Sequence, residues 1–184
     1  RMIDDMLFLA RVDNAVVLPK PETFALKADV LALTDFLEDW ADEKGVTFAV
    51  TGPDVRITGD RLMIRRAVTN LLTNAVGHTH KGGTVSVALE DFIFGITPWV
   101  RVTVKNKGTP IPEDKIAHVF ERFFRADPAR SRTDGGTGIG LAMVESIARV
   151  HGGRVWVRSD AEATVFAFEM PQNAAGRTAA SIGE

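Results

Sequence analysis

The sequence of 184 residues contains no cysteine. A zinc ribbon, an iron–sulfur cluster and a thiol nucleophile are therefore excluded together. Neither sign of charge dominates, because 22 basic residues stand against 24 acidic ones, so no overall field draws the chain to nucleic acid or to an anionic membrane. No apolar run approaches the roughly 18 residues that a membrane span needs, and the first residues carry acids where a signal peptide carries bases. We therefore expect a soluble chain in which a local cluster of residues holds any anionic ligand.

The composition is that of one medium-sized globular domain, with 45% hydrophobic and 25% charged residues. A chain of this length can bury a core without disulfides or metal ions. Helical and strand patterns interleave without a strict strand–helix–strand order, which favours a mixed sheet with helices on one face. Predicted helices cover about 2–14, 28–43, 60–79, 113–119 and 139–150, and predicted strands cover about 24–26, 46–50, 55–58, 85–89, 100–104, 155–158 and 164–168.

Some of these elements carry further expectations. The strands 46–50 and 55–58 are expected to pair with each other around Gly52-Pro53, and Asp60 is expected to cap the long helix. Phe36 and Leu62 are assigned to the core faces of their helices. The first helix is amphipathic and has two open interpretations: the end of a longer helix that packs on a partner helix, or a terminal helix docked on this domain.

A polar stripe runs along the long helix, because Arg66, Asn70, Asn74 and His78 follow one another at intervals of four. A solvated face would account for Arg66 and His78. Asparagine is a poor residue for the middle of a helix, and its amide oxygen suits a hard cation such as Mg²⁺. On its own, the stripe is more simply explained by surface asparagines than by a ligand site.

Two further segments suggest nucleotide chemistry. A strand ends in Asn106 and Gly108, where a polar side chain beside a flexible backbone suits the edge of a flat base or an ordinary turn. The glycines of segment 135–141 lead into a helix, whose N-terminus offers N–H groups to a phosphate. No buried strand precedes them, which excludes a Rossmann fingerprint, and no Gly-Lys-Ser/Thr follows, which excludes a P-loop. The loop 125–137, rich in arginine, proline and glycine, has the composition of a lid.

Four segments in this order resemble the motifs of sensor histidine kinases. The N box is similar to Asn70–Ala75, the first glycine box to Asn106–Ile111, the F box to Phe120–Arg125 and the second glycine box to Gly136–Ala142. The resemblance extends over about residues 20–171. The pattern Asn-x-Gly-x-Pro-Ile in the first glycine box is most similar to the heavy-metal (copper or silver) branch.

The resemblance implies an α+β fold, a two-layer α/β sandwich. Its mixed, mostly antiparallel sheet of about five strands is covered on one face by three helices, and ATP lies between the N-box helix and a mobile lid. Residues 1–16 resemble the end of the second dimerisation, or phosphoacceptor, helix, and 17–172 resemble the ATP-binding catalytic domain. The composition of 173–184 has nothing to bury, so this tail is expected to be disordered.

The resemblance also assigns roles to residues. Asn74 is implied as the Mg²⁺ ligand, and Asn70 stands where gyrase- and chaperone-type ATPases place a catalytic glutamate. Because an amide cannot be a general base, the γ-phosphate should be kept for transfer. Asn106 occupies the adenine-reading position, which is usually Asp, and Gly108 lets the backbone approach the base.

The resemblance further implies contacts from the lid. Arg125, Arg130 and Arg132 are candidates for binding the γ-phosphate, and Arg130 and Arg132 are the implied catalytic residues. Phe120, Phe123 and Phe124 should pin the lid to the body. The further implied nucleotide contacts are His78, Lys81, Ile111, Phe120, Gly136, Thr137, Gly138, Ile139, Gly140 and Leu141.

The implied activity is transfer of the ATP γ-phosphate to a histidine on a dimerisation domain that this chain lacks, followed by relay to a response regulator. The implied parent is a homodimer anchored in the inner membrane, with this domain in the cytoplasm and no nucleic acid among its partners. Without its phosphoacceptor domain the chain should not autophosphorylate.

Two departures from the family pattern keep other interpretations open. Gly77 stands where the N box usually has Lys or Arg, so a phosphate contact is missing unless His78, His80 or Lys81 replaces it. None of the four histidines has the setting of a phosphoacceptor. The alternatives are a degenerate nucleotide-binding or regulatory interaction module of the same fold, favoured by Gly77 and Asn106, and an ATP-hydrolysing clamp, which Asn70 argues against.

Overall fold

The computed structural model describes residues 2–13, 20–125 and 137–174. Its helices are α1 (Met2–Asp13), α2 (Leu26–Glu43), α3 (Arg61–His78), α4 (Glu113–Ile116) and α5 (Gly140–Val150). Its strands are β1 (Pro21–Ala25), β2 (Thr47–Thr51), β3 (Arg56–Asp60), β4 (Thr84–Phe94), β5 (Thr97–Asn106), β6 (Arg154–Ser159) and β7 (Thr164–Pro171). Within these described ranges, no helix is both long and apolar enough to cross a bilayer.

Five strands form one mixed sheet in the order β2-β4-β5-β7-β6. Only the β2–β4 pair is parallel, and the other three pairs are antiparallel. Strands β4 and β5 form one hairpin and β6 and β7 another, and β4 and β5 are longer than the expected strands. The predicted fold class, a mixed sheet of five strands with helices on one face, is confirmed.

The expected pairing of strands 46–50 and 55–58 is wrong. β2 lies beside β4, whereas β3 pairs with β1 in a separate two-stranded sheet, with Phe24 opposite Ile57. The turn at Gly52 packs directly on β4, since a Cβ built there would lie 2.0 Å from the Leu89 carbonyl oxygen. Both strands are short and alternate, so their sequence pattern does not determine their partners; burial of Ile57 beside β1 does.

Helices α2, α3 and α5 supply the buried side chains that cover one face of the sheet. Two side chains assigned to this core are instead exposed, Phe36 and Leu62. In α2 the buried stripe runs through Leu33 and Leu37, and Phe36 lies beside it. In α3 the stripe begins at Met63, one position after Leu62. Phe36 and Leu62 each lie at the edge of the buried apolar face of their helix, and the sequence does not specify how wide that face is.

Helix α1 is docked on this domain. Leu9 and Val12 are buried, and α1 packs against α5. Arg66 of α3 pairs with Asp5 and lies over the ring of Phe8, 4.1 Å from its centroid. These contacts fit both interpretations, because the end of a longer helix can pack on this domain as a terminal helix can.

The end of the described chain is also paired. The Thr58 N–H donates to the Gln172 carbonyl at 2.7 Å, and the Ala174 N–H donates to the Thr58 carbonyl at 2.9 Å. Ala174 packs against the core. The disordered tail expected from residue 173 therefore does not begin there, and the rest of it lies outside the described residues.

Candidate functional site

The long helix α3 is fixed at its N-terminus by the predicted cap. The Asp60 carboxylate accepts a hydrogen bond from the Met63 N–H at 3.0 Å. The Asp60 N–H in turn donates to Nε2 of His151 at 3.0 Å, and the Nδ1–H of His151 donates to the Ile147 carbonyl at 2.7 Å. Burial lowers the pKa of His151, which is neutral with this pair of hydrogen bonds. The start of α3 is thereby joined to the end of α5.

The two asparagines of the stripe lie half-buried on α3, and Asn70 contacts the start of α5. Nδ2 of Asn70 donates to the Met143 sulfur at 3.4 Å, and Oδ1 of Asn70 lies 3.3 Å from the position of a Cβ on Gly140. The amide of Asn74 makes no hydrogen bond to another described residue. The Oδ1 of Asn74 therefore remains available to a cation or to water.

The first glycine box lies against the opposite end of α3. The His80 N–H donates to the Lys107 carbonyl at 3.0 Å. A Cβ on Gly108 would lie 1.9 Å from the His78 carbonyl oxygen, so only glycine allows this approach. Asn106 ends β5 with 2% of its surface exposed, and its amide nitrogen lies 3.4 Å from the same Cβ position. Asn106 and Gly108 thus stand at the C-terminal end of the polar stripe.

One buried polar residue beside Asn106 was missed in the sequence. Thr164 lies directly opposite Asn106 in the β5–β7 register. Its hydroxyl bonds to Ser159 at 2.7 Å, and Ser159 accepts from the Ile111 N–H at 2.9 Å. Thr164 is the first residue of β7, whose other residues are mainly apolar. Its place beside Asn106 could be predicted only from the pairing of β5 with β7, which the sequence alone does not specify.

The F box is attached to the core by two of its three phenylalanines. Phe120 contacts Phe166 edge-on with ring centroids 6.1 Å apart, and Phe124 packs against the core. The side chain of Phe123 is exposed, so its expected anchoring role is wrong. Its backbone makes the connection instead: Phe123 has φ of 63°, and its N–H donates to the Gly138 carbonyl at 2.8 Å.

The second glycine box is only partly described. Thr137, Gly138 and Gly140 are half-buried and lie at the start of α5, whereas the Ile139 side chain is buried in the core and offers only its backbone to a ligand. Leu141 packs against the core. Gly136, Arg130 and Arg132, and most of the expected lid, lie outside the described residues.

The remaining predicted contacts are placed less centrally. His78 is exposed at the end of α3, and Arg125 is half-buried at the end of the F box. The Lys81 side chain packs on Gly45, whose Cβ would lie 2.8 Å from the Lys81 Cγ. The Lys81 side chain therefore lies beside the turn between α2 and β2, and its role as a nucleotide contact stays a prediction.

The donor set at this site fits a magnesium ion that nucleotide phosphates help to hold. No group of three His, Asp or Glu residues is close enough to bind a metal within the parts of the chain that are described. An amide oxygen such as that of Asn74 is a hard ligand, and Mg²⁺ commonly combines one or two protein ligands with phosphates and water. The fit is to a metal–nucleotide complex rather than to a metal alone.

The comparisons with known proteins agree with this geometry. The model of the family "Histidine kinase-, DNA gyrase B-, and HSP90-like ATPase" matches residues 59–174. Sensor histidine kinase CusS of Escherichia coli (strain K12) is 41% identical over 171 residues, which are 93% of this chain and 35% of that protein. The chain thus spans about a third of the length of the curated relatives it matches.

Solved structures show the same fold. The catalytic domain of histidine kinase ThkA has a TM-score of 0.74 and 28% identity, covering 86% of this chain and 99% of that one. Full-length ShkA in complex with AMPPNP has a TM-score of 0.78 and 26% identity, covering 92% of this chain and 35% of that one. The chain therefore belongs to the family of histidine kinase-, DNA gyrase B- and HSP90-like ATPases, and within it to the ATP-binding catalytic domains of sensor histidine kinases.

Proposed function

We propose that the chain binds Mg·ATP along the polar stripe of α3, with adenine beside Asn106 and Gly108 and the phosphates between Asn70, Asn74 and the start of α5. The carrying observation is that the amide of Asn74, which makes no hydrogen bond to another described residue, lies on α3 between Asn70, which is beside Gly140, and His78, which is beside Gly108. His78 lies eight positions after Asn70, which is about 12 Å along a helix and a suitable span for a nucleoside triphosphate. The AMPPNP bound to the similar ShkA supports the same class of ligand.

Each residue has a defined task in this proposal. Asn106 and, across the strand pair, Thr164 offer buried polar groups to the base. Asn74 holds the ion, which neutralises phosphate charge when bound. The N–H groups at the start of α5, from Thr137 to Gly140, face the phosphates, while Arg125, Arg130 and Arg132 remain candidates for the terminal phosphate.

The proposed reaction is transfer of the γ-phosphate to a histidine of a dimerisation domain in the same parent kinase, for relay to a response regulator. Asn70 supports transfer over hydrolysis, because its amide cannot remove a proton from water. We further infer a homodimeric parent anchored in the inner membrane, of the heavy-metal branch, in which residues 1–16 end the phosphoacceptor helix and 17–172 form the catalytic domain.

Calorimetric titration with ATP, in Mg²⁺ and in EDTA, tests the binding site. Wild type should bind more tightly in Mg²⁺, and Asn74→Ala should lose that difference while keeping its affinity in EDTA. Gln172→Ala, which removes an amide bonded to the Trp99 carbonyl, should behave as wild type. An unchanged magnesium dependence in Asn74→Ala would show that α3 is not the metal site, and absence of binding by wild type would favour a degenerate module.

Labelled ATP tests the reaction. The chain alone should neither label itself nor release phosphate, and a dimerisation domain of the parent, added in trans, should become labelled at low efficiency because the tether is missing. Strong self-labelling would contradict the assignment of the acceptor to another domain. Steady phosphate release by the chain alone would instead indicate a hydrolysing clamp.

A further inference from the structure

A cavity adjoins the polar stripe at the N-terminal half of α3. It has a volume of about 350 Å³ and is lined by Asp4, Asp5, Arg66, Thr69 and Asn70. Asn70 is shared with the proposed nucleotide site, so the cavity continues that site toward α1. Its charged lining comes from two carboxylates on α1 and one guanidinium on α3.

Arg66 is held in this cavity by α1. Its guanidinium pairs with the Asp5 carboxylate and stacks on the Phe8 ring at 4.1 Å. About a third of the Arg66 side chain and a quarter of the Asp5 side chain remain exposed, so the pair can open without exposing the core. The buried contacts of Leu9 and Val12 keep α1 in place independently of this pair.

Arg66 and Asn70 lie on the same face of α3, one turn apart, with Cβ atoms about 6 Å from each other. The nucleotide in the proposed site has its base near His78 and its phosphates near Asn70. Its terminal phosphate is therefore the part of the ligand closest to Arg66. Gly77 stands where a basic residue is usual near the other end of the stripe, so Arg66 is the one Arg or Lys residue on this four-residue register.

We propose that Arg66 binds the terminal phosphate of ATP and that Asp5 competes with this phosphate for the guanidinium. The inference rests on the proposed function of the α3 site. A guanidinium fork makes the same paired hydrogen bonds to a phosphate as to a carboxylate, so one anionic partner replaces the other. ADP has no γ-phosphate at this position. Competition by Asp5 therefore acts on ATP and leaves ADP nearly unaffected.

Calorimetry with Mg·ATP and with Mg·ADP tests the proposal on the chain of 184 residues. Asp5→Asn should tighten Mg·ATP about threefold to tenfold and change Mg·ADP less than twofold. Arg66→Gln should weaken Mg·ATP by a similar factor with little effect on Mg·ADP. In the double variant, Asp5→Asn should have no further effect, because the competition requires Arg66.

Matched controls remove the same charges elsewhere. Asp39→Asn on the exposed face of α2 and Arg56→Gln on β3 should leave both affinities within twofold. Arg66→Lys keeps the charge without the fork and should bind Mg·ATP with intermediate affinity. Thermal melts identify any variant that fails to fold, and the Asp5→Asn arm retains Arg66 and so tests the competition even if Arg66→Gln is unstable.

The outcomes separate two failures. Wild type that binds Mg·ATP, with variants that change ATP and ADP equally or not at all, overturns the role of Arg66 and leaves the proposed function intact. Wild type that binds no Mg·ATP overturns the proposed function and this inference together. A gain in ATP affinity from Asp5→Asn that persists in the Arg66→Gln background also refutes the competition.

Discussion

The buried carboxylate of Glu169 provides a quantitative test of the packing on the open face of the sheet. Its side chain is 1% exposed. It accepts hydrogen bonds from Nε of Arg101 at 2.6 Å, from Nε of Arg154 at 2.6 Å and from Nε1 of Trp156 at 2.8 Å. Burial alone would raise the pKa of Glu169, but the three donors together outweigh it and hold the pKa below its ordinary value.

We expect Glu169→Gln to lower the free energy of unfolding by about 2–3 kcal/mol. Removing one partner of a fully buried ion pair costs roughly 3–5 kcal/mol, because the remaining charge is left without compensation. Here Arg101 and Arg154 keep 28% and 47% of their side chains exposed, so water compensates part of the loss. Glutamine also presents an N–H₂ group to N–H donors, which prevents it from restoring all three hydrogen bonds.

Urea unfolding, followed by circular dichroism and by tryptophan fluorescence, measures this difference. Glu90→Gln is the matched control, because Glu90 pairs with the same Arg101 at 2.9 Å but is 50% exposed, and it should cost about 0.5 kcal/mol or less. The lowered pKa of Glu169 stabilises the fold above the unfolded pKa near 4.5, and this contribution is lost as the pH falls through the folded pKa. Equal losses for both variants, or a Glu169→Gln effect that does not shrink in acid, would refute the reasoning.

Three further predictions concern the site and its supports. Gly108→Ala should lower both the nucleotide affinity and the free energy of unfolding, since its Cβ would lie 1.9 Å from the His78 carbonyl oxygen. Gly77→Ala is the matched control, because the space around its Cβ is open. It should raise the free energy of unfolding by about 0.5–1 kcal/mol in the same urea titration. Because the pKa of buried His151 is lowered, wild-type stability should fall as the pH drops below the unfolded value near 6.5, and urea midpoints at pH 7.5 and 5.5 should show a difference that His151→Gln reduces. Asn106→Ala should weaken Mg·ATP about tenfold and reduce its preference over GTP in calorimetry, while Asn106→Asp should stay within a small factor; an unchanged preference in Asn106→Ala would make this residue only a turn former.

Helix α3 shows what the sequence can predict. Its cap at Asp60, its apolar stripe and its asparagine spacing are all local signals, and each is found within a few residues of its expected place. The hairpins β4–β5 and β6–β7 are also local, since each joins neighbouring strands through a short turn. Such features depend on residues that are adjacent in the chain, so they can be recognised without the tertiary structure.

The errors concern contacts between distant segments. The partners of β2 and β3 depend on which buried surface each strand completes, and alternation in a five-residue strand does not specify this. Thr164 is placed beside Asn106 only by the β5–β7 register. Phe123 combines a positive φ with an exposed side chain, and the local pattern of residues 120–125 specifies neither.

Two of the motif glycines are required by the packing of the fold itself, so their presence does not by itself show that a ligand binds. Gly108 is required by the carbonyl of His78, and Gly138 by the backbone of Phe123, from which its Cβ would lie 2.9 Å. Both constraints hold without a nucleotide, so these glycines would be retained even in a module that binds none. Gly140 differs, because the atoms nearest to its Cβ position belong to the side chain of Asn70. The case for nucleotide binding therefore depends most on Asn70, Asn74 and the space in front of Gly140. At Gly140 no backbone atom of another element excludes a larger side chain, so packing alone does not explain the glycine.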